Sequence, residues 1–220
     1  TIPGIRDTFV TNHAVTKTEE FSKAIYLMDV PAYDDTKTRL YDGDSARANV
    51  RKSAEMFAGR ALNSNYAASY FPDVIIEDAI NGDAVKVPSS VVALGALGLN
   101  DKLAFPWFAP AGFRRGALSG VLNTAVRLNA EDRNVLYDAR LNPIASFPTG
   151  GFVIFGQKTL QLSRSALDRV NVRRMLLEVK RIVSNAALDI LFEQNTPQTR
   201  ARFLANVKPK LALIQSQQGI

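Results

Sequence analysis

Hydrophobic and polar positions divide the chain into short apolar runs and longer stripes of helical period. Ala24-Ile25-Tyr26-Leu27-Met28-Asp29-Val30 is a short apolar run stopped by Pro31, the pattern of a strand buried on both faces. An acidic loop with Asp34, Asp35, Asp42, Gly43 and Asp44 follows. It leads into a helix capped by Asp44 or Ser45, with Val50, Ala54, Phe57, Ala58 and Ala61 on one face. Tyr66 to Glu77, rich in aromatic and β-branched residues, reads as one strand, and Asn81-Gly82-Asp83 as a turn. Pro88-Ser89-Ser90 opens a second apolar helix through Leu99, and the glycine, proline and aromatic residues of Ala104 to Gly116 form an ordered loop. Val121 to Leu128 reads as a strand, and Asn129 caps a helix from Ala130 to Arg140.

Ile144 to Phe147 and Phe152 to Phe155 flank Pro148-Thr149-Gly150-Gly151 as a β-hairpin. The longest element is expected from about Asp168 to Phe192, with Val172, Met175, Leu176, Val179, Ile182, Val183, Ala186, Leu188 and Leu191 at helical spacing. Thr196 caps a last helix with Pro197 at its first position, and Pro209 inside it predicts a kink. Without repeats or linker-like stretches, residues 1–220 read as a single α/β (α+β) domain. Its mixed β-sheet is flanked by helices, with a long helix in the C-terminal half and a final kinked helix.

Composition narrows the chemistry. There is no cysteine among the 220 residues, which excludes disulfides and thiolate metal sites and suits a reducing cytoplasm without requiring one. No apolar run approaches the roughly 18 to 20 residues that span a bilayer, so no membrane insertion is expected. Gly151-Phe152-Val153-Ile154-Phe155-Gly156-Gln157-Lys158-Thr159 is a near miss for a phosphate-binding loop. An extra glutamine displaces the lysine, and the bulky residues between the glycines belong to a strand. The aspartates around Asp42 lack the glycine and distal glutamate of an EF-hand, so solvated carboxylates near a helix start are expected there. His13 is the sole histidine and reads as a surface residue, leaving little room for a zinc site or a Ser-His-Asp triad. No enzyme and no cofactor are expected.

Net charge is +6, yet Lys158 to Lys210 alone carries eleven bases against four acids. One reading is a solvated helix face with some arginines paired to carboxylates. The other is a positive strip against an anionic partner, with Arg173 and Arg174 placed at a helix start where cations oppose the dipole. Nucleic acid would require aromatics among exposed bases, and this segment offers only Phe192 and Phe203.

Several blocks in order are shared with a known family. They are Pro106-Trp107-Phe108-Ala109-Pro110-Ala111-Gly112-Phe113, Leu141-Asn142-Pro143-Ile144, the stretch from Gly151 to Leu160, and Arg169 to Leu177. Ile2-Pro3-Gly4-Ile5-Arg6-Asp7, Asp29-Val30-Pro31, Tyr66 to Asp73, Val87-Pro88-Ser89-Ser90 and Phe192-Glu193-Gln194-Asn195 extend the set. In this order they resemble the core of contractile bacteriophage tail sheath proteins.

The resemblance implies a mechanical subunit that assembles with itself as stacked hexameric rings around a tail tube. Contraction then drives the tube through the host envelope. It also implies contacts with tube, baseplate and tail terminator proteins, a place in the virion after assembly in the host cytoplasm, and arms and C-terminal strands beyond this core. A phage-derived injection particle such as an R-type bacteriocin is the alternative within the class, and a basic nucleic-acid-binding protein the alternative outside it. Arg200, Arg202, Lys208 and Lys210 are the candidate tube-facing residues; Arg173 and Arg174 are candidates for a tube or intersubunit contact.

Overall fold

The computed structural model describes residues 1–33 and 49–219. The acidic residues Asp34, Asp35, Asp42 and Asp44, with the expected cap at Asp44 or Ser45, lie outside the described residues. Described chain resumes with helix α2, Val50–Ala58, whose N-cap is Asn49; the Asn49 side chain accepts from the Lys52 amide. Before it come helix α1, Thr8–Phe21, and strand β1, Tyr26–Asp29, with all four strand residues buried.

Tyr66 to Glu77 is not one strand. It divides into β2, Ala67–Phe71, and β3, Val74–Glu77, because Pro72 has no amide hydrogen to give to a ladder. The halves enter different sheets. β2 lies between β1 and β6, Leu141–Phe147, parallel to both, and β6 pairs antiparallel with β7, Gly151–Ile154, as the expected hairpin. β3 lies between β4, Ala84–Val87, and β5, Val121–Thr124, in a small antiparallel sheet. β4, mostly exposed, is too short to read from sequence, and β5 ends four residues before Leu128.

Alternation along the central strands builds a core on each side of the larger sheet. Tyr26, Met28, Ala67 and Phe71 pack toward α1, α2 and α5, the last being Ala130–Asp138. Leu27, Ala68, Tyr70 and Ile144 pack on the opposite side against α3, Ser89–Leu103, and Val170. Complete burial pushes the Tyr70 phenol pKa up. α4, Gly112–Arg115, lies inside the segment expected as loop. A short 3-10 turn, Ala166–Asp168, precedes α6, Val170–Leu188, which packs against α7, Pro197–Ser216. α7 has 20 residues and α6 19, so the final helix is the longer, and it continues through Pro209. Trp107, Met175 and Ile214 form a third core cluster between them, and the Trp107 indole donates to the Gln217 carbonyl at 3.0 Å.

α3 has no side-chain cap of its own. Two aspartates from strand ends supply one. Asp29, 1% exposed, accepts from the Ser90 amide at 2.8 Å, the Ser90 hydroxyl at 2.9 Å, the Ser89 hydroxyl at 3.1 Å and the Gly4 amide at 3.0 Å. Asp73 accepts from the Ser89 amide at 3.3 Å and from Arg6 at 2.6 Å. Free amides and the positive end of the helix dipole both favour carboxylates here. Asp29→Ala is expected to lower unfolding free energy by about 3 kcal/mol, since it strands several buried donors, against about 1 kcal/mol for the exposed cap Asn129→Ala. Urea denaturation of both variants checks this; equal losses would remove Asp29 from its anchoring role.

Candidate functional site

Four of the eleven bases in the basic segment, Lys158, Arg169, Arg173 and Arg174, are buried or half-buried, and the other seven are exposed. Arg173 is 4% exposed, its guanidinium 4.0 Å above the Tyr66 ring and donating to the Asn65 side-chain oxygen; burial lowers its pKa. Arg174 donates to both oxygens of Asp101, at 2.5 and 2.6 Å. Lys180 donates to the Tyr66 hydroxyl at 3.0 Å, and Arg181 pairs with Glu178 at 2.5 Å. Arg169 donates to the Tyr137 hydroxyl at 2.5 Å, while the Lys158 ammonium lies 3.5 Å from the centre of the same ring. Tyr66 and Tyr137 are therefore platforms for four cations. The sequence places Tyr66 at the start of a strand and of a shared block and gives Tyr137 no role, because the cations reach them from across the fold.

Arg200, Arg202, Lys208 and Lys210 are exposed on α7. They do not form one strip. Helical residues turn by about 100° each, so Arg202 lies about 160° around the axis from Arg200, and Lys210 about 160° from Lys208. Arg200 lies about 80° from both Lys208 and Lys210, and Lys210 about 80° from Arg202, so the four spread around the axis. Arg202 approaches Glu193 at 3.2 Å; among the described residues, Arg200, Lys208 and Lys210 have no ion pair.

The near-miss phosphate loop is structural. Gly151 to Ile154 is strand β7. The buried Asn142 side chain donates to the carbonyls of Ser69, at 3.0 Å, and Lys158, at 2.9 Å, and accepts from the Lys158 amide at 2.6 Å. A Cβ on Gly156 would meet the Asn142 side-chain oxygen at 2.9 Å, so only glycine fits there. Six of the nine blocks of the sequence pattern thus meet in two places. Ile2 to Asp7, Asp29-Val30-Pro31, Tyr66 to Asp73 and Val87 to Ser90 converge at the head of α3, and Asn142-Pro143 meets Gly156-Gln157-Lys158 beside β6.

No family model matches the chain. It is 36% identical over 159 residues to the tail sheath protein of Vibrio phage KVP40, covering 72% of this chain and 23% of that protein. Identity to the tail sheath protein of Enterobacteria phage T4 is 30% over 157 residues, 70% of this chain and 24% of that one. The chain belongs with the contractile tail sheath proteins. It spans about a quarter of the length of these curated relatives. Its fold also matches the helical sheath of the anti-feeding prophage in the contracted state, with a TM-score of 0.71 over 98% of this chain and 53% of that one, at 22% identity. The sheath fold therefore accounts for the two-sided sheet and the helices α6 and α7 as a unit.

The Tyr66 platform has a titration signature. The hydrogen bond from Lys180, followed by the charge of Arg173, lowers the Tyr66 pKa. Ultraviolet titration is expected to show Tyr66 ionising below the ordinary tyrosine range and Tyr70 above it. Lys180→Ala should move the low transition upward; an unchanged profile would remove that hydrogen bond as the cause.

Proposed function

We propose that this chain is the folded core, a single domain, of a phage tail sheath subunit. In this reading subunits stack as hexameric rings around a tail tube, assemble in the host cytoplasm and become part of the virion. The sheath meets baseplate and terminator at its ends, and its contraction drives the tube through the host envelope. The observation carrying this is the identity to two phage tail sheath proteins across some seven-tenths of the chain. Higher identity to phage sheaths than to the anti-feeding prophage sheath favours a phage tail over an injection particle.

Such work needs no nucleotide. It needs an extended packing of higher free energy than the contracted one, with a barrier between them, and subunits that hold their shape. Partners related head to tail also propagate a lattice where a two-fold dimer would close it. Expression of the chain with its arms restored, followed by negative-stain electron microscopy with and without purified tube, tests the reading. Sixfold stacked layers are expected; no assembly in either setting would overturn it.

Tube contact would run through one neighbouring α7 pair, such as Arg200 with Lys208 or Arg202 with Lys210, because one flat partner cannot meet all four. Charge pairing holds register while remaining reversible, and it is screened over about 8 Å at physiological salt. Reversing the engaged pair to glutamate is expected to weaken tube decoration about tenfold, as two exposed ion pairs of under about 1 kcal/mol each would give. Reversing the other pair should change little. Undiminished binding by both double variants would exclude α7 as the tube face.

A further inference from the structure

The turn that follows α6 projects an apolar tip. Leu188, Leu191 and Phe192 are 67%, 63% and 98% exposed, and Glu193 follows immediately. Three adjacent large apolar side chains in water mark an interaction site more than a solvated turn. At the opposite end of the helix lies a cavity of about 570 Å³ beside α5 and β7. Ala111, Ala130, Pro143 and Phe155 form its apolar wall, with Arg133 and Arg169 among its lining. Phe155 is 44% exposed and belongs to an aromatic cluster with Phe113 and Phe147, whose ring centres are 5.0 to 6.4 Å apart. Arg133 lies 5.0 Å above the Phe147 ring and, among the described residues, has no carboxylate partner.

We propose that the Leu191-Phe192-Glu193 turn of one copy seats in this cavity of the next. The chemistry is complementary: an aromatic ring meets an aromatic-lined hollow, and the adjoining carboxylate reaches the unpaired guanidinium of Arg133. Glu193 is free to exchange partners, because its pairing with Arg202 at 3.2 Å is between side chains 51% and 61% exposed. Tip and cavity sit at the two ends of the 19-residue α6, about 28 Å apart at 1.5 Å per residue. A chain cannot fill its own cavity, and the contact uses different surfaces on each partner. Such a contact repeats from copy to copy instead of closing. The inference rests on the sheath reading only for the presence of a second copy at close range.

The absence of cysteine makes the test clean. Phe192→Cys and Ala130→Cys, both at exposed positions, are introduced singly and together into the full chain, assembled, oxidised mildly and run on a non-reducing gel. Mixed single variants are expected to give a covalent dimer, and the double variant a ladder of multimers. Neither single variant should cross-link alone. Assembled particles of the double variant that remain monomeric on the gel would overturn the contact while leaving the sheath reading intact. A Phe192→Cys homodimer would overturn it in favour of a symmetric contact. If the wild-type chain forms no particles with or without tube, the sheath reading fails first and the contact falls with it. As a second readout, Glu193→Arg should reduce assembly about tenfold and Arg133→Glu in the same chain should restore it; failure to restore counts against the pairing.

Discussion

The fold depends on a buried carboxylate at the head of a helix. Asp29 ends β1, the edge strand of the larger sheet, and satisfies donors from Gly4, Ser89 and Ser90 at once. A buried carboxylate is costly unless its oxygens are hydrogen-bonded, and each donor group here comes from a different part of the chain or from the helix it caps. That single group therefore fixes where α3 begins, how the N-terminal turn lies and how β1 registers against the layer above it. Asp73, reached from β2 and paired with Arg6, repeats the device one strand over. Asn142 does the equivalent on the next strand, with backbone groups of Ser69 and Lys158.

These junctions explain why the residue blocks that resemble the sheath family are separated in sequence yet few in space. A polar group satisfied by three or four partners constrains all of them, because losing one strands the others. Short strings such as Val-Pro-Ser-Ser or Asn-Pro carry little meaning singly; as the partners of one buried Asp or Asn they are restricted together. The same logic disposes of the phosphate-loop resemblance. Its second glycine leaves room for Asn142, and the amide of its lysine is committed to that side chain.

What was legible in the sequence was local. Asn129 and Thr196 cap the helices they were expected to cap, because a cap bonds within three residues. The buried run at Tyr26 and the hairpin around Gly150 follow from period and turn chemistry in the same way. What was not legible was set by distant partners. Pro72 divided a continuous apolar stretch between two sheets, and β4 exists because β3 supplies its ladder. The sequence leaves the basic segment open between a solvated face and one strip for a related reason. Its charge count is correct, but Arg173 and Arg174 have internal partners more than 60 positions away, and helical rotation divides the other four.

That division bears on mechanics. For a subunit that shifts between two packings, charges locked inside keep the core rigid, while charges left outside can change partners. Burial makes Arg173 on Tyr66 expensive to expose, whereas the α7 cations sit in water, where an ion pair is weak and salt-sensitive. The chain thus separates charges by depth: buried polar junctions at Asp29, Asn142 and Arg173 hold the core, and in the proposed sheath the exposed cations on α7 and the apolar tip at Phe192 are what a neighbour would meet. A contractile device needs this asymmetry, because force passes through a subunit only if its interfaces yield before its core does. Under the proposed contraction, the free-energy gap between the two packings would reside at the interfaces, and the core would be the stiffer element of the two.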